Sequence, residues 1–174
     1  MAPAVAERAA AIHEVARGRV DELAGALLDE VDPGELIVAL GGGRVIDTAK
    51  ALAAARDPEA RPPGRPRVAA IPTTLSAAEM TAVHRRAAGA DTSWPGVRPA
   101  IVVNDPALSA SQPPVELAAS AANALAHAAE GPATRHASPV PALAGREAAR
   151  LIAVAYADRA RPRRRRPGPH MPPR

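Results

Sequence analysis

Apolar residues in the first 30 positions recur about every three to four residues, the spacing of one face of an α-helix. This pattern predicts a helical region over residues 4–30, with Gly18 as a break. The turn residues Asp32-Pro33-Gly34 end that region. The continuous apolar run over residues 36–40 then predicts a strand that is buried on both faces of a parallel sheet.

Farther along the chain, apolar runs alternate with turn signals. We predict, in chain order, a helix over 45–56, a Pro-, Arg- and Gly-rich surface loop over 57–67, a strand over 68–71, a loop with a helical turn over 73–81, a loop or hairpin over 85–99, a strand over 100–103, and helices over 115–130 and 141–157. This order indicates an α/β fold with a parallel sheet that passes into a helical region.

Composition narrows the possible chemistry. Hydrophobic residues make up 47% of the chain, but Phe is absent and Ala dominates, so the core is expected to bury little area per side chain. The absence of Cys excludes disulfides, thiolate catalysis and Cys-based zinc sites. No apolar run reaches the roughly 18–20 residues that span a membrane. Because the N-terminus lacks a signal-peptide pattern, we expect no membrane partner and a cytoplasmic location.

Residues 159–174 differ in composition from the rest. They hold seven basic residues and no acidic one, so the net charge of +4 becomes −3 for residues 1–158, which carry 15 basic and 18 acidic groups. Alternating Pro and Arg forms no packed element, which predicts a disordered tail. The alternatives are a tail translated out of the ancestral reading frame and non-specific phosphate binding by residues 163–166. Because no aromatic platform accompanies these arginines, no nucleic-acid partner is expected.

The strongest motif lies between the predicted strand over 36–40 and the helix that follows it. Gly41, Gly42 and Gly43 let the backbone approach a bulky anion, and the helix N-terminus directs unpaired N–H groups toward it. The segment suits a diphosphate, although it is not the G-x-G-x-x-G fingerprint. Asp47 and Lys50 in the first turns favour this interpretation; the alternative is a tight strand-to-helix turn with no ligand.

Two weaker motifs follow. Thr73 and Thr74 leave the C-terminal end of a predicted strand, where ligands bind in open α/β sheets. Asn123 and His127 are four residues apart and share a helix face. An Asp or His pair at this spacing can hold a metal, whereas Asn is a poor ligand. A lone His on such a helix is more often a hydrogen-bonded core residue than a ligand.

These three motifs and the segment Asn104-Asp105-Pro106, in this order and spacing, resemble the iron-containing alcohol dehydrogenase family, which includes maleylacetate reductases and glycerol dehydrogenases. They read Gly-Gly-Gly-x-x-x-Asp-x-Ala-Lys, Ile-Pro-Thr-Thr, Asn-Asp-Pro and Asn-Ala-Leu-x-His-Ala-x-Glu, and the resemblance covers roughly residues 20–157. It implies a partial Rossmann-like nucleotide-binding domain over residues 1–112 and the first helices of an all-helical domain over residues 113–158, before the tail. NAD or NADP is expected in the cleft between the two domains.

The resemblance also implies roles for individual residues. Gly41, Gly42, Gly43 and Arg44 are expected at the diphosphate, Thr73 and Thr74 are expected to line the cofactor, and Asp47 and Lys50 belong to the same loop-helix unit. In metal-dependent members the position of Asn123 is Asp, which binds iron or zinc together with His127. Asn at this position resembles the maleylacetate reductases, which work without metal. Arg44 stands where the family usually has Ser.

Family members are about twice as long as this chain, so the resemblance implies a truncated enzyme with weak or no activity. The expected reaction is hydride transfer between NAD(P) and a small-molecule carbonyl or alcohol, with His127 as the group that donates a hydrogen bond or proton to the substrate oxygen. A homodimer is an expected assembly. The alternatives are a fragment of a dehydroquinate-synthase-like cyclase, which shares the glycine loop, and a non-catalytic interaction fragment.

Overall fold

The computed structural model describes residues 3–32, 34–55, 67–90, 96–135 and 137–160. The chain divides into two compact units, Met1–Ser120 and Ala121–Arg174. The sequence predicts a domain boundary after residue 112, and the division between the two compact units falls after Ser120 in the chain. Residues 57–66 of the predicted surface loop and residues 161–174 of the predicted tail lie outside the described residues.

The first unit is built on a parallel sheet. Its strands are β1 (Ile37–Gly41), β2 (Val68–Pro72) and β3 (Ile101–Val102), in the order β1-β2-β3. Ile37 is in register with Val68, and Ala69 with Ile101. Helix α3 (Gly43–Ala54) connects β1 to β2. The α/β fold with a parallel sheet, followed by helices, is therefore confirmed.

Burial differs between the strands. The prediction that the first strand is buried on both faces is wrong, because Ala39 is the only buried residue of β1 and Val38 is 42% exposed. Strand β2 is the one that is buried along nearly its whole length. The reason is position in the sheet: among the described residues, β2 pairs on both sides, whereas β1 and β3 each pair on one side.

The N-terminal region contains two short helices, α1 (Pro3–Ala6) and α2 (Val20–Ala26), where one helical region over residues 4–30 was predicted. The predicted helix is wrong over residues 10–16, which have no helical turn. Ile12 is 53% exposed there, so the apolar spacing has nothing to pack against, and most helical stability comes from such packing. Helix α2 has a partner, since Ala24 is fully buried beside α3.

Helix α3 is the centre of the first unit. It packs against the sheet through one cluster and against α2 through another; the clusters are centred on Ile46, Ala49 and Ala53, and on Ala51 and Leu52. The small Ala side chains let helix and sheet approach closely, at the cost of apolar area per residue. Packing on two faces fixes the N-terminus of α3 at the edge of the sheet where β1 ends.

Three helices follow the sheet: α4 (Pro106–Ala110), α5 (Pro114–Ala133) and α6 (Pro139–Ala160). The short helix α4 was not predicted; Asp105 caps it by accepting a hydrogen bond from Ala107 N at 2.9 Å. Helix α5 continues past the predicted end at residue 130 and contains Pro132, close to its last residue. None of the described helices is long and apolar enough to cross a membrane.

Candidate functional site

The bend that joins β1 to α3 leaves main-chain donors free. Gly42 is the N-cap residue of α3 and has an extended backbone with no side-chain cap. Within the described part of the chain, the N–H groups of Gly42, Gly43 and Arg44 meet no hydrogen-bond acceptor. The 12-residue helix behind them adds the partial positive charge of its dipole. The bend therefore presents donors and positive potential at one place.

The chain folds back on itself within this bend. Gly41 has a φ of +159°, and a Cβ at this position would lie 2.6 Å from Val45 Cγ2. Real Cβ atoms do not approach so closely, so the first glycine is required by the side chain of the following helical turn.

The other two glycines are required by the loop after β2. A Cβ on Gly42 would lie 2.9 Å from Thr74 Cγ2, and one on Gly43 would lie 2.8 Å from Ser76 Oγ. The loop is attached to the bend by a hydrogen bond from Thr73 N to Gly41 O, at 3.0 Å. The glycines thus allow this loop to rest directly on the bend.

The hydroxyl of Thr74 has no hydrogen-bond partner among the described residues. Its Oγ1 is buried, makes no hydrogen bond to any described residue, and lies 3.3 Å from where a Gly42 Cβ would stand. The next residue, Leu75, is held through its N–H, which donates to Ser120 Oγ at 2.8 Å. An unpaired buried hydroxyl costs free energy unless a ligand or water completes it. The site therefore contains a polar group suited to a hydrogen-bonding ligand.

Lys50 lies on α3, the helix that begins at the bend, and is fully buried. Its ammonium donates to Asp47 Oδ1 at 2.8 Å, to Ala78 O at 2.9 Å and to Val83 O at 2.7 Å, with Thr81 Oγ1 at 3.5 Å. These acceptors engage all three of its N–H groups. Lys50 is therefore held inside the protein, whereas Arg44 is exposed at the start of α3.

Sequence reasoning singled out the bend, Arg44, Thr73 and Thr74, and the structure brings these residues together. It missed Ser76, which lies in the same polar segment as the two threonines and contacts Gly43. The polar run after the strand was a usable signal for Ser76. The carbonyl partners of Lys50 had no such signal, because main-chain acceptors occur at every residue.

Asn123 and His127 lie on α5 within the second unit, and both are exposed. The alternative interpretation of His127 as a core residue is wrong, because its side chain is 68% exposed. Its Nδ1 lies 3.4 Å from Glu130 Oε2. Among the described residues, no group of three or more His, Cys, Asp and Glu is placed to hold a metal ion. With two candidate ligands, one of them a neutral amide, the residues described here do not fit a metal ion.

The family of this chain follows from its matches to known proteins. The profile of the iron-containing alcohol dehydrogenase family matches residues 8–106, which include the bend, Lys50 and both threonines. The chain belongs to the iron-containing alcohol dehydrogenase family. Within it, the chain is 36% identical over 122 residues to maleylacetate reductase 2 of Cupriavidus pinatubonensis and 32% identical over 138 residues to the maleylacetate reductase of Sphingobium indicum. These matches cover 68% and 76% of this chain, but 32% and 36% of the relatives.

Solved structures of the family share the fold. An iron-containing alcohol dehydrogenase from Thermotoga maritima superposes with a TM-score of 0.68 at 22% identity, covering 85% of this chain and 45% of that one. The sulfoacetaldehyde reductase of Bifidobacterium kashiwanohense, solved in complex with NAD⁺, superposes with a TM-score of 0.58 at 25% identity, covering 75% of this chain and 40% of that one. The chain therefore spans about a third of its curated relatives and under half of these two structures.

Proposed function

We propose that the bend between β1 and α3 binds the diphosphate of NAD or NADP, as part of an oxidoreductase that transfers hydride between the nicotinamide and a carbonyl or alcohol carbon. The observation that carries the proposal is that the N–H groups of Gly42, Gly43 and Arg44 and the nearby hydroxyl of Thr74 have no partner in the described part of the chain. Main-chain N–H groups at a helix N-terminus are a recurrent phosphate site. Membership of the family and the NAD⁺ complex of one structural neighbour support the proposal.

Each residue of the candidate site has a distinct role in this proposal. Gly41, Gly42 and Gly43 let backbone and phosphate approach without an intervening side chain. The exposed guanidinium of Arg44 pairs with a phosphate oxygen. Thr73 and Thr74 line the cofactor, and the Thr74 hydroxyl gains the partner it lacks. Asp47 and Lys50 act indirectly, from the helix that follows the bend, since their charges are paired with each other.

The cofactor, when bound, supplies the hydride chemistry, and the protein orients it. We propose a maleylacetate-reductase-like substrate, a small carbonyl compound, on the basis of the two curated relatives and of Asn123. His127 is proposed to donate a hydrogen bond or a proton to the substrate oxygen. No step is assigned to a metal ion, because the described residues around Asn123 and His127 do not fit one.

Titration calorimetry on the 174-residue chain tests cofactor binding. We expect NAD⁺ or NADP⁺ to bind, ADP-ribose to retain most of the affinity because it keeps the diphosphate, and adenosine to fail to bind. Ligand at about 100 times its Kd is expected to stabilise the fold by about 2.7 kcal/mol, visible as a higher Tm. If neither dinucleotide binds or raises Tm, the proposal is wrong and a non-catalytic interaction fragment is favoured.

The chain alone is expected to turn over weakly or not at all, because it spans about a third of the curated relatives. Transfer of deuteride from labelled NAD(P)H to maleylacetate, followed by mass spectrometry, detects such residual turnover. Rapid oxidation of NAD(P)H by the purified chain would contradict the expectation of weak activity.

Replacing His127 with Ala is expected to lower the residual turnover by about 100-fold or more, the usual contribution of a general acid. Because the His127 side chain is exposed, its truncation removes little packing, and Tm is expected to stay constant. The matched control is His13→Ala, since His13 pairs with Glu30 in the first unit and has no proposed catalytic part. Measurable and equal turnover in the two variants would show that His127 does not donate the hydrogen bond or proton.

A further inference from the structure

Lys50 stands out in the sequence before any contact is considered. It is the only lysine among the 22 Lys and Arg residues of the chain; the other 21 are arginines. It is also fully buried, and no arginine of the described residues is. A tetrahedral ammonium can donate in three directions from a narrow stem, whereas a guanidinium is a broad planar fork. A lysine ammonium therefore fits position 50 better than an arginine guanidinium would.

The acceptors of the Lys50 ammonium come from two distant parts of the chain. Asp47 lies one turn earlier on α3 and supplies the opposite charge at 2.8 Å. Ala78 O and Val83 O lie 28 and 33 residues away and bracket the segment that follows the threonine loop. The buried Lys50 ammonium thus holds both ends of residues 78–83 against α3 by hydrogen bonds.

Residues 78–83 lie directly after the loop over residues 73–76, which is part of the proposed cofactor site. The Ser76 Oγ accepts a hydrogen bond from Ala78 N at 3.4 Å. Ser76 and Ala78 are also the two residues that a Cβ on Gly43 would meet, at 2.8 Å and 3.7 Å. The loop that carries Thr74 is held from the other side by the Thr73 hydrogen bond to Gly41.

We propose that Lys50 is a positioning residue for dinucleotide binding: its buried ammonium holds residues 78–83 against α3 and so sets the loop over residues 73–76 on the glycine bend. This inference rests on the proposed function of that bend. It assigns Lys50 no contact with the cofactor, because all three of its N–H groups are already engaged by the protein. Without the ammonium, two carbonyls and the Asp47 carboxylate lose their donor, and the loop is held on the bend only by its own main-chain hydrogen bonds.

The first test uses the unmodified 174-residue chain, in which Lys50 and the N-terminus supply the only primary amines. Acetylation by acetic anhydride, followed by peptide mass spectrometry, measures how often the Lys50 side chain leaves its buried acceptors and becomes accessible to the reagent. Lys50 is expected to react at least about 100-fold more slowly in the folded chain than in the urea-unfolded chain, with the N-terminal amine as the internal reference for reagent concentration. Because the cofactor binds only the closed form in this proposal, saturating NAD⁺ slows Lys50 further, by the factor 1 + [L]/Kd. Rapid acetylation of Lys50 in the free protein would overturn the proposal.

The second test replaces the side chain chemically. The chain has no Cys, so Lys50→Cys creates a single thiol. Its thiolate displaces bromide from 2-bromoethylamine in the unfolded chain, which forms a thioether with a terminal amine of nearly the length of lysine. Alkylation with 1-bromopropane forms the neutral thioether of the same shape. After refolding, the amine form is expected to bind NAD⁺ within about twofold of the native chain and the propyl form at least about tenfold more weakly.

A control separates positioning from general stability. Leu52→Ala removes packing on the face of α3 that meets α2, away from the ammonium. At a temperature where all forms are folded, Leu52→Ala should lower Tm yet keep the native Kd for NAD⁺. Equal Kd for the amine and propyl forms would refute the role of the ammonium. If the native chain binds no dinucleotide, the proposed function fails, whereas the acetylation rate of Lys50 still reports whether the segment is held.

Discussion

Gly42→Ala is expected to weaken NAD⁺ or NADP⁺ binding by at least about tenfold and to destabilise the first unit by about 1–3 kcal/mol. The backbone of Gly42 is extended, a conformation that alanine adopts without strain. The new Cβ, however, would stand 2.9 Å from Thr74 Cγ2, so the loop after β2 must move off the bend. Calorimetry measures the affinity, and urea unfolding followed by circular dichroism measures the stability.

A second substitution makes this prediction specific. Thr74→Ser removes the Cγ2 atom that the new methyl group meets and keeps the hydroxyl, so Gly42→Ala/Thr74→Ser is expected to recover most of the affinity. Gly131→Ala is the matched control, because nothing lies within 4 Å of a Cβ at that helical position. That control is expected to stabilise α5 by about 0.5–1 kcal/mol and to leave binding unchanged. Native affinity in Gly42→Ala would show that contact between the loop and the bend is irrelevant to binding.

Ile46→Ala is expected to lower the free energy of unfolding by about 2–5 kcal/mol. Ile46 is fully buried, with a solvent exposure of 0%, and its side chain packs from α3 against the sheet in the cluster that includes Ala39, Val68 and Ala70. Because its buried neighbours are mostly alanines, few side chains nearby can move to fill the cavity. A domain stable by only about 5–15 kcal/mol would lose a large share of its stability.

Urea unfolding followed by circular dichroism, with hydrogen exchange at β1 and β2 to report on the first unit, checks this prediction. Ile46→Val is the matched variant: it removes one methyl group and is expected to cost about 0.5–1.5 kcal/mol. Losses of equal size in the two variants would contradict the packing argument. So would a loss below about 0.5 kcal/mol in Ile46→Ala, because the neighbours would then have closed around the smaller side chain.

The contrast between Ile46 and Lys50 shows how one helix serves both stability and the site. Ile46 faces the sheet and contributes apolar area, whereas the burial of Lys50, one turn later, depends on Asp47 and two carbonyls that accept its hydrogen bonds. Removing one partner from a buried charged group costs more than the pair itself contributes. The order of these residues on α3 therefore ties the position of the 78–83 segment to the folding of the helix.

The residues of the proposed site were visible in the sequence because each has a chemical signature that does not depend on distant contacts. Three adjacent glycines between an apolar run and a helical pattern predict a bend open to an anion, and two threonines after a strand predict hydroxyls at the sheet edge. The structure brings both segments together through the parallel pairing of β1 with β2. The strand pattern was sufficient for this, since neighbouring parallel strands end at the same edge.

Local sequence by itself determined the α/β order of elements, the glycine bend and the polar loop, because these follow from side-chain period and backbone freedom. Only the tertiary structure decided which strand is buried, since burial depends on having neighbours on both sides, and β2 has them while β1 does not. It also decided that residues 10–16 are not helical and that Lys50 faces inward. An apolar period does not say whether a packing partner exists, and main-chain carbonyls that pair with an ammonium leave no mark in the sequence.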